Sequence, residues 1–182
     1  MNRLKNSRCY LAGAMEKDPD GGIFWRTKVI KSLRNIGINF LDPTNKPTKY
    51  AVENITTRDE MSDMRRNLNG VGIKRLIRPI RKIDLRMVDI SDFIIVYLDP
   101  SVPTFGTHEE MNRAIDQCKP VLIVIEGGVD KTPLWLFDKA NISHIFGDFN
   151  SLYEYINLVD STEVSDISVM EASDYEWIFF DW

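Results

Sequence analysis

The stretch Phe93-Ile-Ile-Val-Tyr-Leu-Asp-Pro-Ser-Val-Pro-Thr-Phe-Gly-Thr-His-Glu-Glu-Met-Asn112 changes physical character three times. Phe93 to Leu98 is a short, continuous apolar run rich in β-branched and aromatic side chains, which reads as a buried strand. Asp99-Pro100 stops it, and Pro103 and Gly106 mark a loop. A helix is expected from Thr107 to Lys119. A buried strand, a turn and a helix N-terminus carrying carboxylates form the kind of corner where open α/β sheets hold ligands.

The flanking sequence supplies what such a corner needs. Cys9 to Met15 reads as a strand running into a small-residue turn, where Gly13 and Ala14 let a ligand approach the backbone. After the loop Asp18-Pro-Asp-Gly-Gly22 a helix is expected from about Phe24 to Asn35, with Gly37 ending it. Ile38 to Leu41 then reads as a second strand, stopped by Asp42-Pro43. Strand, helix and strand at this spacing make a crossover unit with parallel strands. Downstream, Val121 to Ile125 is a fourth strand, Ile142 to Phe146 a short fifth, and Phe149 to Val159 a final helix. The alternation predicts an α/β fold with a mostly parallel sheet of about five strands.

Residues 44–82 are longer than a crossover requires and read as an insertion, a lid or an oligomer contact. Thr57 and Glu60 have capping-box spacing, Asn69-Gly70 marks a break, and Pro79 argues against an uninterrupted helix. Ile83 to Ser91 is expected as the helix leading into the third strand, with Asp84 at its start, where the helix dipole favours a carboxylate.

The chain of 182 residues fits one domain, residues 1–159, followed by an acidic tail, residues 160–182, that ends in aromatic side chains. The net charge of −4 argues against binding nucleic acid polymers. Arg58 to Arg86 holds nine Lys or Arg against four Asp or Glu, and the chain after Lys139 holds nine acidic residues and no Lys or Arg. These segments read either as solvated faces or as partners that dock on each other. Five aromatics in Tyr175 to Trp182 are expected to be buried, in the same chain or in a neighbour. No signal peptide or membrane-spanning run is visible, so a cytoplasmic location without membrane contact is expected. Cys9 and Cys118 read as two buried free thiols in a reducing compartment, and the two histidines, His108 and His144, give no metal-ligand spacing, so no metal is expected.

Two readings of Glu110 stand side by side. Thr107 and Glu110 have the spacing of a capping box, which would account for both residues. On a helical wheel of about 100° per residue, however, Met111, Ala114, Ile115 and Cys118 form the buried stripe. Glu109 then points away and Glu110 borders a crevice over the sheet, where a carboxylate can serve as nucleophile or general base. Asp99 can reach such a crevice from the strand end or can simply start the Asp-Pro turn. Asp92, at the strand entry, reads as a loop-holding carboxylate.

Tyr10-Leu-Ala-Gly13, Asp84 followed by Asp92 and an apolar strand, Gly106-Thr-x-x-Glu110, Ala114 and Lys119-Pro120-Val121 together resemble the nucleoside 2-deoxyribosyltransferase family. The resemblance implies a flavodoxin-like, three-layer α/β fold and an enzyme without a cofactor. It would cleave or exchange the N-glycosidic bond of a nucleoside or nucleotide, with a free nucleobase as second partner, and would work as a homo-oligomer. It also implies Glu110 as the nucleophile that attacks the anomeric carbon, Tyr10 as the residue holding it, and Asp84 as the proton-transfer group near the base. Gly13, Asp99, Thr104, Gly106 and Thr107 would contact substrate, with Trp182 completing a site. The sequence departs from the family at Thr104, where an aspartate is usual, and at Lys131 to Trp135, which offers no equivalent of a family asparagine. Base recognition is therefore expected to differ, or the activity to be hydrolysis, including that of a nucleoside 5′-monophosphate, whose phosphate Arg26 and the basic segment make plausible. A non-catalytic nucleotide-binding module is the alternative.

Overall fold

The structure, a computed structural model, describes residues 2–161 apart from positions 17, 47, 49, 50, 52 and 54, together with Trp177. The strands are β1 (Arg8–Gly13), β2 (Asn39–Leu41), β3 (Phe93–Leu98), β4 (Val121–Ile125) and β5 (Ile145–Phe146). The helices are α1 (Ile23–Leu33), α2 (Ile55–Arg66), α3 (Gly70–Ile90), α4 (Phe105–Asp116), α5 (Leu136–Lys139) and α6 (Phe149–Ser161). All strand pairings are parallel and the sheet order is β2-β1-β3-β4-β5, the flavodoxin-like arrangement. The expected α/β class and flavodoxin-like topology are both present.

Strand periodicity divides the core into two layers. Cys9, Leu11, Phe93, Ile95, Leu122 and Val124 face α1 and α6, where Trp25, Val29, Leu33, Leu152 and Ile156 cover them. Tyr10, Ala12, Ile94, Val96 and Ile123 face the other way, onto Met87, Val88, Met111 and Ala114 of α3 and α4. The register runs from Cys9 opposite Phe93 to Gly13 opposite Tyr97, so β1 and β3 end level with each other.

Asp92 sits at the opposite end. It accepts the Arg8 backbone N–H at 2.7 Å and pairs with the Arg8 guanidinium at 2.8 Å, a strand-fixing role. The Lys119 ammonium donates to the Val88 and Asp89 carbonyls at 2.6 and 2.8 Å and so caps the end of α3. Trp177 is 3% exposed and packs on Phe93, Tyr155 and His144, on the α6 side of the sheet. No helix among the described residues is long and apolar enough to cross a membrane.

Several local expectations are corrected. Cys118, expected in the buried stripe, is exposed, because α4 ends at Asp116 and Cys118 turns the chain away with a φ of 53°. α3 is a single helix of 21 residues that contains Pro79, so Asp84 lies two-thirds of the way along it and not at its start. The stripe of Ile73, Leu76, Ile80, Asp84, Met87 and Val88 turns one face inward along its length, and that burial outweighs one lost backbone hydrogen bond at Pro79. α2 begins at Ile55, ahead of Thr57, which removes Thr57 as its cap. α4 begins at Phe105 with Thr104 at the N-cap, so Thr107 stands in the first turn and Glu110 in the second. The capping-box reading of Thr107 and Glu110 is thereby excluded.

Candidate active site

The ends of β1 and β3 diverge at the point where the strand order reverses, and a cavity of about 340 Å³ opens there. Gly13 to Glu16, after β1, form one side. Pro103 to Thr107, with Glu109 and Glu110, form a second side from the β3–α4 loop and the start of α4. Ile77, Ile80, Arg81, Asp84 and Leu85 of α3 make the third, and Glu53 closes it. The segment expected as an insertion or lid thus supplies part of the wall.

Glu110 is reached from below by β1. The Tyr10 hydroxyl, on a fully buried ring, donates to Glu110 Oε1 at 2.8 Å. Met111 and Ala114 anchor α4 on the sheet, which fixes the turn from which Glu110 projects. Burial raises the Glu110 carboxyl from the usual carboxylate range to about 8; the Tyr10 hydrogen bond opposes that rise and the Asp84 charge adds to it. The Tyr10 phenol is itself pushed well up, first by burial and then by the charges of Glu110 and Asp84.

Asp84 is 7% exposed, and burial raises its carboxyl as well, against the pull of Lys46, whose ammonium lies 2.8 Å from Oδ1. Glu109 behaves differently from its neighbour. It pairs with Arg81 across the cavity mouth, Arg81 Nε donating to Oε2 at 2.8 Å, and that bond lowers its carboxyl. Adjacent carboxylates on one helix are thus separated into a solvated rim charge and a withdrawn group that resists ionisation.

The glycines act unequally. A Cβ on Gly13 would stand 2.7 Å from Trp25 Cζ2, so this glycine admits Trp25 against the backbone as well as facing the cavity. A Cβ on Gly106 would meet nothing within 4 Å. Thr104 Oγ1 is buried, makes no cap bond and has no hydrogen-bond partner among the described residues, on a residue that lines the cavity.

The structure therefore brings Tyr10, Asp84 and Glu110 together with Gly13, Thr104, Gly106 and Thr107. Asp99 does not line the cavity; its Oδ1 accepts from the Ser101 N–H at 2.8 Å and hydroxyl at 2.7 Å, as the turn reading requires. Trp182 lies outside the described residues. Arg26, which the sequence makes a plausible phosphate contact, is fully buried and bonds to the carbonyls of Leu11, Gly13, Gly21 and Gly22. Its role is to tie the end of β1 to the glycine turn. Lys46 and Glu53 were not foreseen: each is a single charged residue in an irregular segment, where no periodicity signals burial.

No family model matches the chain, and no curated protein matches it by sequence. Solved structures do match. A 2-deoxyribosyltransferase from the psychrotolerant bacterium Bacillus psychrosaccharolyticus superposes with a TM-score of 0.56 at 16% identity, over 88% of this chain and 96% of that one. A 2-deoxyribosyltransferase from Leishmania mexicana gives 0.55 at 18% identity, over 86% and 99%. The fold is that of the 2-deoxyribosyltransferases. A CMP N-glycosidase from Clostridium botulinum overlies it more loosely, at 0.48 and 18% identity, over 84% and 99%.

Proposed function

We propose that the chain cleaves or exchanges the N-glycosidic bond of a nucleoside, with Glu110 as nucleophile. The observation that carries this reading is the Tyr10–Glu110 hydrogen bond of 2.8 Å at the wall of a cavity on the strand ends, in a fold shared with 2-deoxyribosyltransferases. A carboxylate withdrawn from water and oriented by a phenol suits attack on an anomeric carbon, because the glycosyl ester it forms divides a difficult displacement into two steps. Asp84 is the second group such chemistry needs, on the side where the base would leave.

The walls favour an unphosphorylated substrate. Glu16, Glu53, Asp84, Glu109 and Glu110 line the cavity, and Arg81, the cation among the described lining residues, is already paired with Glu109. A phosphate dianion would find no unpaired cation on the described walls, whereas a neutral nucleoside needs none. Assembly into a homo-oligomer belongs to the same reading: Leu134, Trp135 and Ile142 leave apolar surface exposed after β4.

The test is chromatography of natural deoxynucleosides with and without a second free base, using wild type, Glu110→Gln and Glu109→Gln. Product is expected from wild type, within about twofold of it from Glu109→Gln, and lower on the order of 10³-fold or more from Glu110→Gln. Equal losses at the two positions would remove Glu110 as nucleophile. Sedimentation of the wild type as a monomer would remove the oligomer.

A further inference from the structure

After β2, Asp42 Oδ1 accepts the Thr44 backbone N–H at 2.8 Å and the Thr44 hydroxyl at 2.7 Å, which sets the 3₁₀ turn Pro43–Asn45. That turn delivers Lys46 to α3. Its ammonium lies 2.8 Å from Asp84 Oδ1 and donates to Oδ2 at 3.0 Å, with the two side chains 2% and 9% exposed. A buried ion pair adds little stability over apolar side chains of the same volume, so a lysine set against the cavity-lining Asp84 calls for another explanation. The groups facing Asp84 are Lys46, Glu53, Glu110, Tyr10 and Arg26. Arg26 is committed to backbone carbonyls, so among the described residues Lys46 is the cation in contact. A carboxylate paired with an ammonium has no proton of its own to give. The transferable proton of the pair is on the lysine.

We propose that Lys46 stores the proton that Asp84 hands to the departing base. The inference rests on Glu110 being the nucleophile. The step starts from ionised Glu110, the form that gains as pH rises: one of its oxygens bonds to the anomeric carbon, the C–N bond breaks and its electron pair stays on the base nitrogen. One proton moves from the Lys46 nitrogen to Asp84, and one from Asp84 to that nitrogen. Glu110 is then a neutral ester, Lys46 a neutral amine, Asp84 still a carboxylate and the base neutral, so net charge is unchanged. In the second step the N–H of an acceptor base, or water, attacks the anomeric carbon. Its proton returns through Asp84 to Lys46, and Glu110 leaves as a carboxylate. Lys46 acts through Asp84 and is a positioning residue with a proton-holding role.

Arginine distinguishes this from simple charge compensation, because it keeps the cation but does not release its proton. Lys46→Arg and Lys46→Met are to be assayed on 2′-deoxyuridine against 5-fluoro-2′-deoxyuridine, and on 2′-deoxyadenosine against its 2-fluoro analogue. Fluorine makes each base a better leaving group with less need of a proton. Both variants are expected to slow the unsubstituted nucleoside about 100-fold and the fluorinated one less than about 10-fold. Wild-type rates in Lys46→Arg would overturn the proposal, as would equal losses on both members of a pair. Thermal melts check folding, and Lys46→Arg retains a cation against Asp84 if Lys46→Met fails to fold. A wild-type protein inactive on both pairs would instead overturn the nucleoside reading, and Glu110→Ala is expected to lose both members alike.

Discussion

Tyr10 and Glu110 are one hundred residues apart in sequence, and the Tyr10 hydroxyl donates to Glu110 Oε1 at 2.8 Å. The bond joins β1 to α4 across the buried face of the sheet, and it is the contact that separates Glu110 from Glu109. Tyr10→Phe removes the donor and keeps the ring. Hydrogen bonds to charged groups are worth about 1.5–3 kcal/mol, so turnover is expected to fall about 10- to 100-fold. The pH–rate profile tests the cause: the rise in activity with pH should move to higher pH, because the Tyr10 bond opposes the upward shift of Glu110. An unmoved profile would leave Tyr10 as packing alone.

Glu110 also links stability to pH. Its carboxyl is raised to about 8 from an ordinary carboxylate value, so the fold favours the protonated form. The resulting stability is present below the unfolded-state pKa and is lost as pH rises through about 8. Glu110→Gln keeps the neutral shape at every pH. It is therefore expected to melt above wild type at pH values near 9 and to approach it near pH 4, with roughly 2–4 °C for each kcal/mol. A difference independent of pH would contradict the assignment. Activity should depend on pH in the opposite sense, rising as Glu110 ionises.

Gly13 and Gly106 both line the cavity but should answer differently to added side chains. Gly13→Ala drives a methyl group to within 2.7 Å of Trp25 and should destabilise the protein by about 1–3 kcal/mol. Gly106→Ala, in the first turn of α4 where an added Cβ meets no other described part of the chain within 4 Å, should stabilise it by about 0.5–1 kcal/mol. Gly106→Leu should fold as well and raise KM, since its side chain enters the space left for substrate. Thermal melts and steady-state kinetics separate the two glycines.

Arg26→Met should be among the most damaging substitutions outside the cavity. It strips four backbone carbonyls of a charged donor within a fully buried site. A loss of about 3 kcal/mol or more is expected in denaturant titration. A smaller change would mean that water replaces the guanidinium.

Much of this was legible in the sequence because apolar runs leave few alternatives. Phe93 to Leu98 and Val121 to Ile125 have the strand limits expected of them, and the wheel separated Glu110 from Glu109. The misreadings share one source: local chemistry overridden by packing. Pro79 is a sound helix breaker until a long buried stripe holds the helix together around it. Thr107 resembles a cap, but the helix starts at Phe105, two residues before it. Arg26 reads as a ligand contact because nothing in a sequence distinguishes an arginine that meets solvent from one that meets carbonyls. Lys46 gave no sign, since its partner Asp84 lies 38 positions away on another element.

The sheet ends in β2, three residues long, and β5, two residues long. A parallel sheet forms slowly because its pairings are all distant in sequence, and partly folded chains therefore meet one another with strands exposed. Edges this short offer too few free N–H and C=O groups to recruit a second chain. The same brevity that limits the sheet at its margins is thus a safeguard against fibre-like association, and lengthening either edge strand should increase aggregation during refolding before it alters the folded protein.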